Sequence, residues 1–354
     1  MRYTLFGESH GPAIGIVLQG VPSGLVLDMD FIEAEMARRA PGSSPLASAR
    51  REKDSVELLS GTFEGRATGM PLCGLIRNTD ARSRDYEAAR WIPRPGHADF
   101  TAHLHGKGFE DYRGGGHFSG RLTAPLVFAG AVAKLALRER GIEIMARIRR
   151  IEHEEDAPLD LARPALADLR AAVRKPFPVI DDDRGRAMQE AVLKAKSEGD
   201  SVGGIIECFV TGLPAGAGGP DIDDELEGLI ARHVFAVPGV KGLEFGSGFA
   251  LAAMRGSQAN DAFVPGPDGF PLTRTNHSGG ISGGIANGMP LVFRAAVKPT
   301  PSIALEQDSV DMRTGEAARL SIAGRHDPCI VPRAVPVIEA AAALALSEVP
   351  GVLA

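Results

Sequence analysis

Residues 123–140 are apolar on nearly every side of a helical projection, and the run stops at Gly141. A helix that is hydrophobic all round has no face to give to water and must be buried on most sides, and glycine is the residue that most readily closes such a helix. Around this stretch the periodicity predicts further helices. One runs to Arg39 with Asp30 as its cap and with Ile32, Met36 and Arg39 on one face, which leaves Arg38 in solvent. Another covers 183–198, with Met188, Ala191, Val192 and Ala195 aligned and Gly199 as its stop; 223–235 and 335–346 complete the set. Strand patterns fall at 15–19, 204–210 and 291–297, the last alternating Val292, Arg294 and Ala296 with Phe293, Ala295 and Val297. Helices and strands come in groups, without a strict βαβ alternation. This predicts an α+β fold in which central helices are sandwiched between two antiparallel sheets. No residue-level repeat or linker divides the chain, so residues 1–354 are expected to form a single unit, with the stretch near Pro158 as a surface loop.

Hydrophobic residues make up 44% of the 354, enough for a packed core. The formal net charge of −6 argues against a nucleic-acid partner, which calls for a basic surplus. Basic residues are nonetheless clustered at Arg38-Arg39, Arg50-Arg51 and 147–150, so a local anion pocket is compatible with an acidic protein. Cys73, Cys208 and Cys329 are far apart with no metal-site spacing; they read as buried thiols of a cytoplasmic protein with no bound metal. No signal-peptide pattern opens the sequence. The longest apolar run, 125–137, is about 13 residues and is interrupted by Lys134, short of a membrane span.

Two histidines occupy near-identical settings, Gly7-Glu8-Ser9-His10-Gly11 and Arg94-Pro95-Gly96-His97-Ala98-Asp99. Each follows a glycine-bearing turn and has a carboxylate nearby. Histidine, with an unperturbed pKa of about 6.5, both gives and takes protons at neutral pH. A single histidine is more often a hydrogen-bonded bystander, but a third motif, Gly324-Arg325-His326-Asp327-Pro328, repeats the pattern. The three together point to acid–base catalysis.

The 43 glycines concentrate at 114–116, 203–204, 214–219 and 278–288. No G-x-G-x-x-G follows a strand, no P-loop motif exists, and His153-Glu154-Glu155 is not H-E-x-x-H. A Rossmann dehydrogenase, a P-loop NTPase and a zinc hydrolase are therefore excluded as readings. Two glycine-rich segments remain as ligand cradles. Residues 111–121, Asp111-Tyr112-Arg113-Gly114-Gly115-Gly116-His117-Phe118-Ser119-Gly120-Arg121, run into the apolar helix, where backbone N–H groups and a helix N-terminus favour an anion such as phosphate. Residues 274–288 lead through a strand to Lys298-Pro299-Thr300-Pro301-Ser302, with Lys298 at the strand end either contacting a ligand or solvated. Arg39 ends a partly apolar stripe. It is read either as a desolvated guanidinium requiring a carboxylate or phosphate, or as a snorkelling residue that caps its own helix.

Taken together, these motifs resemble the chorismate synthase family. The matching segments are 7–11, 20–24, 38–42, 94–99, 111–121, 199–204, 255–258, 276–284, 298–303 and 324–329; they are collinear and span nearly the whole chain. The resemblance implies the last step of the shikimate pathway. In it, 5-enolpyruvylshikimate 3-phosphate loses phosphate and a C6 proton in an anti-1,4 elimination to give chorismate. Reduced FMN is required although there is no net redox change. It also implies one α+β unit with pseudo-twofold halves and assembly as a homotetramer.

Carried onto this chain, the resemblance makes His10 the acid for the departing phosphate and His97 the histidine that manages protonation of reduced flavin. Asp327 becomes the acceptor of a proton through flavin N5, with Ser9 and Ser119 supporting the relay. Arg39, Arg94, Arg121 and Arg325 match substrate-binding arginines. The flavin contacts implied are His117, Phe118, Ser119, Gly283, Lys298, Pro299, Thr300, Pro301, Ser302 and Arg325. Two departures stand out: Pro45 replaces an arginine of many relatives, with Arg50 or Arg51 as substitutes, and His117-Phe118 replaces Arg-Ser. Competing readings are a flavin reductase consuming NADPH, for which no nicotinamide fingerprint exists, and an anion-binding relative that has lost catalysis. The sequence leaves open whether the chain reduces its own FMN or relies on an external flavin reductase.

Overall fold

The structure is a computed structural model that describes residues 1–40, 54–79, 90–266, 269–322 and 327–353. Helix α1 (Met29–Arg39) begins two residues before its sequence cue. Asp28, not Asp30, is the cap, its carboxylate accepting from the Phe31 N–H, while Asp30 sits in the first turn near the positive end of the helix dipole. Ile32, Met36 and Arg39 share the buried face as the phase predicts. The short α2 (Asp99–Gly106) follows the second histidine motif. The all-apolar stretch is α3 (Thr123–Arg138), buried along almost its whole length. Helix α4 (Leu166–Val173) and α5 (Asp182–Ser197, capped by Asp181) lie in the middle of the chain. They are followed by α6 (Leu226–Phe235) and the single-turn α7 (Gly256–Ala259).

Helix α8 (Val331–Glu348) starts four residues before the 335–346 pattern. Pro332 and Pro336 hid its first turn. Pro332 occupies a position where no intrahelical N–H partner exists anyway, and Pro336 sits inside the helix, where tertiary packing overrides its poor propensity.

Two antiparallel sheets flank these helices. The first runs in the order Arg2–Gly7, Ala13–Gln19, Leu72–Arg77, Val56–Ser60. The second runs Val240–Phe245, Leu291–Val297, Gly204–Thr211, Glu143–Ile151, Glu154–Glu155. Helices α3 and α8 pack on each other between the sheets, α3 reaching the first sheet and α8 the second. Helix α1 flanks α3 and α6 flanks α8, so each half of the chain contributes a sheet, an inner helix and an outer helix. This is the predicted α+β sandwich. The inner helices cross closely: a Cβ on Gly130 would stand 2.2 Å from that of Ala340. With the turn before it, the α3 run reaches 19 residues, Gly120–Arg138, longer than the sequence estimate, and 89% of the apolar window is buried inside the protein. Helix α4 covers the other face of the second sheet through Leu169, against Met145, Phe209 and Val292.

Arg38 does not point into solvent. It donates to Glu35 and, through both terminal nitrogens, to Glu339 of α8 at 2.6 and 3.0 Å. Lys134 of α3 bonds the same two carboxylates. Glu339 also accepts from the Ala146 N–H at 2.8 Å. That N–H lies on a strand whose outer neighbour pairs only at Arg150 and Ile151, so a helix carboxylate completes the hydrogen bonding where no strand does. Burial alone would raise the Glu339 carboxyl, but Arg38 and Lys134 more than offset it and hold it down to about 2 against an ordinary 4.5.

A depressed carboxyl pKa contributes stability that is present above the unfolded value and lost as pH falls through the folded one. Glu339→Gln should therefore lower the unfolding free energy at pH 7 by about 3 kcal/mol, the cost of leaving buried cations without their anion. In urea titrations the gap between variant and parent should narrow as pH falls from 4.5 toward 2. A gap unchanged between pH 7 and pH 3 would contradict the assignment.

Candidate active site

Three successive glycines organise the site. Gly114, Gly115 and Gly116 have φ of 61°, 83° and 53°, and each is pressed by a neighbour on its Cβ side. A Cβ at position 114 would lie 2.6 Å from Nε2 and Cδ2 of His10, and one at 115 would lie 2.8 Å from Cε1 and 3.1 Å from Nε2 of His97. At 116 it would collide with the Asp111 carbonyl at 2.1 Å. Only glycine fits the backbone angles and the space together. The two histidines, far apart in sequence, thus rest on adjacent residues of one run. The first is held there by the turn after strand Arg2–Gly7. The Ser9 N–H donates to Gly116 O at 3.1 Å, and Asn78 Nδ2 donates to Glu8 O and Gly11 O.

His97 Nδ1 lies 2.6 Å from Asp99 Oδ1. The Nδ1 edge of the ring is thus flanked by the Asp99 carboxylate and, at 3.1 Å, by Arg94 Nη2, while Nε2 lies on the Gly115 side. Arg94 grips the same carboxylate through its main-chain N–H, Nε and Nη2, and its Nη1 donates to Ser302 Oγ at 3.2 Å. Burial pushes Asp99 upward, but the bonds from Arg94 and His97 win and hold it well below the usual carboxylate range. Lys298 Nζ donates to Gly96 O. Arg94 and Lys298 therefore staple the His97 loop to the 298–302 segment.

Arg39 and Arg121 add a wall of cations to the same space. Arg39 Nη1 donates to Asp54 Oδ2 at 2.7 Å, its Nη2 to Gly120 O at 2.9 Å and its Nε to Thr123 Oγ1 at 3.1 Å. The guanidinium reaches another helix's entry turn and none of its bonds goes to its own helix's carbonyls, which decides between the two sequence readings in favour of the desolvated cation. Arg121 Nη1 bonds the other oxygen of Asp54, and its Nε donates to Asn78 Oδ1. Burial, together with the nearby cations Arg333 and Arg121, pulls Arg39 down to about 10. Asp54 is fully buried; burial favours its neutral form, yet the two arginines keep its carboxyl below the ordinary value.

These groups open on a cavity of about 780 Å³. Arg39, Arg94, His97, Arg121 and Asp327 line it, as do His117, Phe118 and Ser119 and all of Lys298, Pro299, Thr300, Pro301 and Ser302. His117 Nδ1 donates to Gly7 O at 3.0 Å, with its ring perpendicular to Phe118. His10 and Ser9 lie behind Gly114, which lines the cavity. Gly283 is not on its wall; it turns the hairpin of Ile281–Ser282 and Ile285–Ala286 beside the start of α6, where Gly284 O accepts from the Leu226 N–H. Arg325, Gly324, His326, Pro45, Arg50 and Arg51 fall outside the described residues.

Sequence reasoning missed Asp54, Asn78, Arg333 and the wall at 235–241, which also line or support this space. Only Arg333 left a local signal, a basic residue in the first turn of α8, where the helix dipole disfavours positive charge.

The glycine run yields a paired test. Gly114→Ala should displace His10 and Gly115→Ala should displace His97, each lowering turnover by about 10²-fold, the effect of misplacing a reacting group by roughly 1 Å. Far-ultraviolet circular dichroism should stay parental in both. Parental turnover in either variant would show that the imidazole on that glycine takes no part.

A family model described as chorismate synthase matches residues 1–349. A chorismate synthase of Methanocella arvoryzae is 48% identical over 98% of this chain and 91% of its own length. One of Aeropyrum pernix is 47% identical over 98% and 90%. A solved structure titled as the crystal structure of chorismate synthase superposes with a TM-score of 0.74 at 28% identity, covering 98% of this chain and 90% of that one. The imidazole pair on its glycine run, the guanidinium wall and this whole-length similarity agree, and the chain belongs to the chorismate synthase family.

Proposed function

We propose that this chain is a lyase converting 5-enolpyruvylshikimate 3-phosphate to chorismate and phosphate by 1,4-elimination with reduced FMN. The observation that carries the reading is the pair of imidazoles seated on Gly114 and Gly115, beside a cavity that Arg39 and Arg121 line. The substrate bears two carboxylates and a phosphate, so its pocket needs several cations; here they coexist with an overall acidic composition because carboxylates hold them in place.

In this reading His10 holds the proton for the departing phosphate, and Arg39 and Arg121 stabilise the charge that develops there. His97, held at Nδ1 by Asp99 and Arg94, offers Nε2 for proton exchange. Asp327 presents a carboxylate at the cavity wall for the proton lost from C6.

The cavity also fits the flavin. Its volume, about 780 Å³, lies within the range of cofactor sites. Thr300 Oγ1 is buried on its wall without a partner. Apolar Phe118, Leu126 and Val237 line it beside the cation Lys298. His117, Phe118, Ser119 and the 298–302 segment would hold FMN, with Arg325 a further contact implied by resemblance. Bound there, reduced FMN supplies the electron transfer that side chains cannot perform. The free thiols of Cys73, Cys208 and Cys329 accord with a cytoplasmic location. Phe109, Phe249, Phe263 and Phe270, each more than two-thirds exposed, are surfaces that a homotetramer would cover.

Anaerobic incubation with reduced FMN and the enolpyruvyl phosphate should release free phosphate and chorismate absorbance in equal amounts. Neither product would refute the reading. Repeating it with oxidised FMN and NADPH separates an enzyme that reduces its own flavin from one served by an external flavin reductase. His10→Ala and His97→Ala should each lower kcat by about 10²–10⁴-fold with flavin binding retained, whereas Arg39→Ala should chiefly raise KM. Near-parental rates in both histidine variants would refute the role assignment.

A further inference from the structure

Arg333 is absent from every motif that points to the reaction, yet it lies at the meeting point of two parts of the site. It occupies the first turn of α8, where a cation opposes the helix dipole, and that first turn contains no acidic residue. Its side chain is 21% exposed and lines the cavity. Nη1 donates to Asp327 Oδ2, and Nε donates to the main-chain oxygen of Arg39 at 2.9 Å. That oxygen ends α1, whose last side chain is the guanidinium held by Asp54 and Gly120. One planar fork therefore joins the Asp327 carboxylate to the end of the helix that carries the Arg39 guanidinium. Lysine, with a single ammonium, does not reproduce a two-point bridge of this kind.

We propose that Arg333 is a positioning residue for the elimination, fixing the Asp327 carboxylate at a set distance and orientation from the Arg39 end of α1. The proposal rests on the reaction assigned above. Arg333 itself need not touch substrate. Its effect passes through Asp327, whose oxygen must meet a proton in line, and through α1, whose end sets where the substrate anion lies. A positioning role predicts a loss in kcat that disappears once Asp327 can no longer accept a proton, because residues acting as one unit are non-additive.

The test is a double-mutant cycle on chorismate formation in the full-length protein with reduced FMN: parent, Arg333→Met, Asp327→Asn and the double variant. Arg333→Met should lower kcat by about 10²-fold, as expected for a misplaced reacting group, with KM for the enolpyruvyl phosphate within about threefold of the parent. On the Asp327→Asn background it should add less than about threefold. A raised KM with intact kcat would make Arg333 a direct anion ligand and overturn the proposal. So would losses that multiply in the double variant. Should Arg333→Met not fold, Arg333→Lys carries the test, with roughly a tenfold lower kcat at unchanged KM expected and a parental kcat refuting it. A parent that makes no chorismate would instead refute the reaction, and this proposal with it.

Discussion

A single methyl-sized atom at position 114 or 115 would drive an imidazole out of place, since it would stand 2.6 Å from His10 or 2.8 Å from His97. The site therefore depends on what is missing from three consecutive residues. With no Cβ, the run from Gly114 to Gly116 adopts left-handed angles, hugs the Asp111 carbonyl and lets two rings approach from two different loops. Everything else holds those loops against it. The first sheet ends in the turn that carries His10, and Asn78 and the Gly116 carbonyl pin that turn. The Arg94–Asp99 clamp and Lys298 pin the second loop to the end of strand Leu291–Val297, which belongs to the other sheet. The two imidazoles come together where the two halves of the sandwich meet.

The same device recurs in the charges. Four arginines at the site are placed by carboxylates: Asp54 between Arg39 and Arg121, Asp99 on Arg94, and Asp327 on Arg333. Removing one member of a buried pair leaves an uncompensated charge, so such pairs hold their geometry firmly. In the helical core, Glu339 does for Arg38 and Lys134 what Asp54 does for the site. An acidic chain thus builds a cationic cavity by pairing its arginines with carboxylates, with Arg39 buried deeply enough to fall to about 10.

The fold class was legible because α3 is apolar all round and can only be central. The phase of α1 also placed Arg39 correctly, since the Ile32–Met36–Arg39 stripe is a local property of a 3.6-residue period. The same argument failed for Arg38, whose partners Glu339 and Lys134 are brought near only by the crossing of α3, α8 and α1. Prolines concealed the start of α8, and the edge strands Arg2–Gly7 and Val56–Ser60 left no period strong enough to read. Asp54 and Arg333 went unseen for a related reason. Their contacts join positions 15, 67 and 294 residues apart, and no local pattern records such pairs. Gly283 marks the opposite limit: its motif is visible in sequence, but its hairpin lies beside α6, away from the cavity wall.

Labelled-histidine NMR offers the most direct test of the shared imidazole site, because the chain has only nine histidines and His10→Gln and His97→Gln identify two of the signals. A phosphate-bearing, non-reacting analogue of the substrate would be titrated into the protein with FMN present. The account predicts that the ring resonances of residues 10 and 97 move together, saturating at the same analogue concentration. Movement of one without the other, or of neither while the analogue binds, would contradict it.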